Sequence, residues 1–62
     1  MPYTLQDFRT GQRVQMHPGT DRWMRGDRYG EVVAVGRRLV TIKLDRSGQT
    51  KAFLPRAIGE IL

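Results

Sequence analysis

The residues best suited to chemistry sit together in Arg22-Trp23-Met24-Arg25-Gly26-Asp27-Arg28-Tyr29. Aromatic rings stack on unpaired bases for roughly 1–3 kcal/mol each, while Arg neutralises the phosphates between them. Its planar fork matches phosphate in a way that Lys cannot. The stretch therefore reads as a nucleic-acid-binding loop, with Arg22, Trp23, Arg25, Arg28 and Tyr29 as contacts. Arg37 and Arg38, read as the tip of a hairpin, and Lys51 on a later strand complete the candidate set. The same residues also admit a packing reading. Trp23 and Met24 would fold back as a lid over a small core, with Tyr29 packing below. Met24 is assigned to that lid, and Trp23 is open to both readings. Arg37-Arg38 serves equally well as a projecting phosphate contact or as a soluble turn. Asp21 beside Arg22, and Asp27 between Arg25 and Arg28, read as local exposed ion pairs, which contribute little to stability. Lys43 and Arg56 extend the basic stripe, although Lys43 fits a solvated outer face better.

Charge supports the choice of ligand. Eleven Lys and Arg against six Asp and Glu give a net charge of +5 over 62 residues. Nine of the eleven are Arg. A basic surface gains affinity for polyanions through counterion release. Enzymatic chemistry finds no support. His17, the one histidine, stands before Pro18 with no carboxylate or nucleophile spaced to make a catalytic set. Ser47 sits in a polar turn where hydrogen bonding to the backbone explains it. No glycine-rich phosphate cradle opens a helix, and a domain this short has no room for a drug-sized pocket. With no cysteine and one histidine there is no zinc site; no metal or cofactor is expected. No apolar run approaches the roughly 20 residues of a membrane span. The first five residues carry no signal-peptide pattern. The default setting is cytoplasmic.

These side chains must be held by something, and the stretch 26–45, GDRYGEVVAVGRRLVTIKLD, organises the rest. Residues 29–35 and 39–44 are β-rich runs flanking Gly36-Arg37-Arg38, the pattern of a hairpin. In the second run Val40, Ile42 and Leu44 alternate with polar residues, as in a strand with one wet face. The first run is apolar on both parities, which predicts a bulge near Gly30 or burial on both faces. Upstream, Leu5 and Phe8 suggest one turn or an extended arm plugging the core, and residues 13–17 a first strand. Pro18 ends that strand. Residues 19–28 form a long loop in which Thr20 or Asp21 could cap one helical turn through Met24. Downstream, residues 45–49 form a turn with Gly48 at positive φ. Residues 50–54 form a fourth strand, Ala52 and Leu54 on one face and Phe53 on the other. Pro55-Arg56-Ala57 makes a tight helical turn, and residues 58–62 a fifth strand. Parity predicts a core of Val14, Val32, Ile42, Leu44, Leu54 and Ile58.

Sixty-two residues make a single domain, an arm over 1–10 and a barrel over 11–62. The order of elements suggests an all-β, five-stranded, closed or half-closed barrel, since closure removes exposed edges. A core this small leaves self-association as a possible aid to stability.

Gly11-Gln12-Arg13-Val14, Gly30-Glu31-Val32-Val33-Ala34-Val35, Val40-Thr41-Ile42-Lys43-Leu44 and Phe53-Leu54-Pro55-Arg56-Ala57-Ile58 together resemble the Src-homology-3-like barrels. The likeness covers residues 11–61. It implies a single tight turn before the last strand, where Pro55-Arg56-Ala57 stands. The second group looks like a KOW-type motif, with Gly30 and Val32 at its glycine and core aliphatic positions. That likeness implies binding to RNA, ribosomes or transcription complexes through loops. Small basic barrels of this kind recur among bacterial, phage and mobile-element proteins. The chain is more distantly similar to type II dihydrofolate reductase barrels, whose Val-Gln-Ile-Tyr active-site run is replaced here by Lys51-Ala52-Phe53-Leu54. Proline-peptide recognition would need an aromatic groove with acidic neighbours, and acidic residues are sparse. The expectation is a non-enzymatic nucleic-acid-binding or nucleoprotein-associated module. The alternative is a protein-interaction adaptor using the Trp23 loop and an edge strand.

Overall fold

The strands follow the alternation in the sequence. In the computed structural model, which describes residues 3–62 and so omits the first two residues of the arm, β3 is Val40–Leu44. Its Val40, Ile42 and Leu44 are fully buried while Lys43 faces solvent. Five antiparallel strands surround this core: β1 (Arg13–Met16), β2 (Tyr29–Val35), β3, β4 (Thr50–Phe53) and β5 (Ile58–Ile61). They pair in the order β4-β3-β2-β1-β5. The architecture is thus the all-β, five-stranded, barrel-like sheet expected. It is half-closed, because β4 and β5 remain edges among the described residues.

The bulge in β2 lies at Val33 and not at Gly30. Val32 pairs with Ile42, and Ala34 with Thr41, leaving Val33 as the extra residue. The insertion shifts parity, so Val32 and Val35 stand opposite the inward Ile42 and Val40. It accounts for a run that is apolar on both parities without burial on both faces. Gly30 has a different reason. Paired with both Val14 and Leu44, it would place a Cβ 2.5 Å from Ile42 Cγ2 and 2.7 Å from the Lys43 carbonyl oxygen. Only a residue without a side chain fits between these layers.

The buried cluster is Phe8, Val14, Met16, Val32, Val40, Ile42, Leu44 and Ile58. Five of the six expected core residues belong to it. Leu54 does not: it is 43% exposed, and Phe53 packs against the cluster in its place. The register explains the reversal, because Phe53 pairs with the inward Val40, and residues paired across two strands share a face. Leu39 and Leu54 fall just outside the strands that the sequence assigns them to.

The described residues of the N-terminal arm pack on the core. Thr4 and Asp7 form a capping box around a 3₁₀ turn, Leu5–Asp7, and deliver Phe8 into the core. The Tyr3 ring meets Phe8 edge-on at 5.8 Å. Its hydroxyl accepts the Ile61 N–H at 3.2 Å, tying the arm to β5. A second 3₁₀ turn, Pro55–Ala57, precedes β5. No helix among the described residues is long and apolar enough to cross a membrane.

Candidate nucleic-acid interface

The loop between β1 and β2 is ordered by its own backbone. A single helical turn, α1 (Asp21–Met24), is capped by Thr20, whose Oγ1 accepts the Trp23 N–H at 3.3 Å. Its end is fixed by Gly26 at φ +88°. Gly26 N–H donates to the Trp23 carbonyl at 3.1 Å and Asp27 N–H to the Arg22 carbonyl at 2.8 Å. That pair of bonds is a Schellman motif, which needs a left-handed residue where Gly26 stands.

This turn then docks on the β3–β4 connection, residues 45–49. Asp27 is only 5% exposed, and its Oδ1 accepts the Ser47 N–H at 3.0 Å. Its Oδ2 lies 3.8 Å from Arg22 Nη1, and the same Arg22 nitrogen donates to Gln49 Oε1 at 3.2 Å. The Arg46 guanidinium occupies the space that a Cβ on Gly26 would take. Two of the expected ion pairs are thus corrected. Asp27 is a buried clasp between loop and turn rather than a surface partner of Arg25 and Arg28. Arg22 pairs with Asp27, not with Asp21.

The docked loop carries most of the candidate contacts. The Arg28 guanidinium lies 4.5 Å above the centre of the Trp23 ring, a cation–π contact, and its Nε donates to the Trp23 carbonyl at 3.3 Å. Trp23 is half-buried, and Arg28 covers one face of its ring. Arg25 and Tyr29 are exposed. Neither Met24 nor Tyr29 serves the core. Met24 is 81% exposed, on a four-residue turn that buries none of its side chains.

Arg37 and Arg38 are exposed in the β2–β3 connection. They follow the end of β2, whereas the loop precedes its start. Seven residues of strand, about 20 Å, separate the two groups. Lys51 lies on the edge strand β4, opposite Ile42. The structure therefore gathers Arg22, Trp23, Arg25, Arg28 and Tyr29 and leaves Arg37, Arg38 and Lys51 apart. It adds Arg46, which sequence reasoning assigned only to a turn. No local signal links Arg46 to Gly26, since the contact spans the whole of β2 and β3.

A further pair borders the site. Arg13 Nη1 donates to Asp45 Oδ1 at 2.9 Å, and Nη2 meets Oδ2 in the second arm of the fork. The hydrogen bonds from Arg13 hold the Asp45 carboxyl below its usual range and raise the guanidinium in turn. Both side chains are largely exposed. Among the described residues no group of three or more His, Cys, Asp or Glu could hold a metal ion. In comparisons with known proteins, no protein family, no curated protein and no solved structure matches this chain.

Proposed function

We propose that this chain is a non-enzymatic nucleic-acid-binding or nucleoprotein-associated module whose contact surface is the α1 loop docked on the β3–β4 turn. One observation carries the reading: Arg28 stacks on Trp23, Arg22 and Arg25 stand on or next to the same helical turn, and the Asp27 clasp holds that turn against the β3–β4 connection, where Arg46 meets Gly26. Phosphate binding gains where guanidinium groups are held in place, as Arg22 and Arg28 are, because less freedom is lost per contact. Arg25 is the residue most open to a phosphate, while Arg22 is partly engaged by Asp27 and Gln49. The accessible part of Trp23 offers a stacking surface for an unpaired base. The strand order and the crowded Gly30 fit a Src-homology-3-like barrel with a KOW-type glycine, a likeness that favours RNA or a nucleoprotein. Fold likeness alone does not fix activity. A cytoplasmic setting goes with this reading.

Oligonucleotide titration across a salt series tests the proposal. Charge reversal at Arg25 and Arg28 weakens binding and flattens the salt slope by about 0.9 per lost duplex phosphate contact, or about 0.7 on single strands. Trp23→Ala weakens single-stranded binding more than duplex binding, because only unpaired bases present a free face. Charge reversal at Arg37 and Arg38 makes the same change in net charge at the far end of β2 and serves as the comparison. Each variant is first shown folded by its thermal melt. The proposal fails if single-stranded DNA, duplex DNA and RNA all bind no tighter than about millimolar at low salt, since non-specific affinity alone reaches about 10⁻⁴–10⁻⁶ M.

A further inference from the structure

At the other end of the sheet, apolar side chains face water. The bulge sets Val33 and Ala34 opposite Thr41, and Thr41 pairs in turn with Ala52. All lie on the face away from the buried Val40 and Ile42. Beyond the Val40–Phe53 pair the two flanking residues are Leu39 and Leu54, 40% and 43% exposed. Val33 is 39% exposed. Val33, Ala34, Leu39, Ala52 and Leu54 make one largely apolar surface across these strands, with Thr41 between them. Contiguous patches on small monomers are often functional.

The surface runs to an open edge. Leu44 N–H donates to the Gln49 carbonyl at 2.8 Å, which makes this a hydrogen-bonded pair. Antiparallel ladders alternate bonded and non-bonded pairs. The main chain of Lys51 and Phe53 therefore bonds to β3, and that of Thr50 and Ala52 points outward, unpaired among the described residues. Lys51 pairs with inward Ile42 yet is exposed, so its ammonium stands on the core side of the edge. Lysine in that position opposes edge-to-edge pairing. A second copy meeting β4 about a two-fold axis would set one Lys51 near the other, with Arg37 and Arg38 of both copies adding to the repulsion. An acidic partner reverses the sign of each of these terms.

We infer that the free edge of β4 and the adjoining apolar face form a docking site for an extended, acidic segment of a partner protein. The segment adds as a sixth strand. Its backbone pairs with Thr50 and Ala52. Alternate apolar residues lie beside Ala52 and Leu54, and the intervening acidic residues meet Lys51 and the Arg37-Arg38 tip. Strand addition of this kind draws affinity from main-chain bonds and specificity from alternate side chains. The inference does not rest on the nucleic-acid reading: β4 starts beside that surface at Thr50, next to Gln49, and runs away from it to the Val40–Phe53 pair.

The experiment titrates the isotope-labelled full chain with a ten-residue peptide alternating Val and Glu, followed by amide resonances. A scrambled peptide of the same composition, a Val–Lys counterpart and single-stranded DNA are run beside it. The Val–Glu peptide is expected to shift and protect the amides of Thr50 and Ala52, and the scrambled peptide to bind about tenfold more weakly or worse. Lys51→Glu combined with Arg37→Glu and Arg38→Glu, all at exposed positions, reverses the preference toward the Val–Lys peptide. Ala52→Pro removes an outward N–H without touching the β3 ladder and abolishes binding; should that variant not fold, the charge-reversal variant decides. Equal affinity for the scrambled peptide, shifts centred on residues 22–28, oligonucleotide competition at the β4 amides, or dimerisation through β4 in sedimentation would each overturn the inference.

Discussion

Replacing Gly30 by alanine tests the packing logic of the whole sheet. At a position with ordinary φ, such a change commonly stabilises by about 0.4–1 kcal/mol, by restricting the unfolded chain. Gly30 has no positive φ, so backbone strain does not enter. The added methyl would stand 2.5 Å from Ile42 Cγ2 and 2.7 Å from the Lys43 carbonyl oxygen. Ile42 is fully buried, and the Lys43 carbonyl belongs to the β2–β3 ladder, so neither can yield without moving a strand. Overpacking of this kind costs about 1–3 kcal/mol. The net loss is on the order of 1–2 kcal/mol, and a domain of this size holds only about 3–9 kcal/mol in total. With about 4–8 °C per kcal/mol, the thermal midpoint followed by circular dichroism falls by roughly 5–15 °C. A Gly30→Ala variant melting at or above the wild-type temperature would refute the account of close strand approach.

Other perturbations separate packing, backbone and charge. Ile42→Ala, at the centre of the buried cluster, costs about 2–5 kcal/mol, and a chemical-denaturation midpoint equal to wild type would contradict the strand assignment. Gly48 has φ +72° with nothing within 4 Å of its missing Cβ, so Gly48→Val lowers stability by about 1–2 kcal/mol through strain alone. Unaltered stability would refute the strain argument. Asp45 is held below its ordinary pKa by Arg13. Its contribution is therefore present above the unfolded carboxylate range and disappears as pH falls through the lowered value. Asp45→Asn flattens the acid limb of the stability curve, modestly because the pair is exposed and salt-screened; identical acid limbs in low salt would argue against the fork.

Legibility in the sequence followed the locality of the cause. The alternation of Val40, Ile42 and Leu44 needs no partner to be read, and the same holds for Gly48 in its turn and Pro55 in its helical turn. β4 defeats the same approach because Thr50-Lys51-Ala52-Phe53 has no polar–apolar alternation. Only the register with Val40 decides that Phe53 turns inward and Leu54 outward. The candidate loop was half legible. Its residue types announced arginine and aromatic chemistry, and Thr20 announced a cap. The burial of Asp27 rests on Ser47, and the placement of Arg46 rests on Gly26. Each contact joins segments 20 residues apart in sequence, beyond the reach of any local pattern.

The excess of apolar residues in β2 bears most directly on function. In a chain of 62 residues the natural assumption is that every large apolar group is needed inside. The bulge at Val33 breaks that assumption, since one inserted residue keeps Val32 inside while Val33 and Ala34 turn out together, and Val35, although opposite Val40, is still 38% exposed at the strand's end. Exposing them forgoes burial at about 25 cal/mol per Å², a loss that a small domain feels. Leu39 and Leu54 repeat the pattern on the adjoining strands, and Lys51 guards the edge beside them. Solubility favours polar residues at all these positions, and folding does not require apolar ones there. A surface that works against both is the ground for the proposed partner, and the basic residues around it are the reason that an acidic segment is proposed.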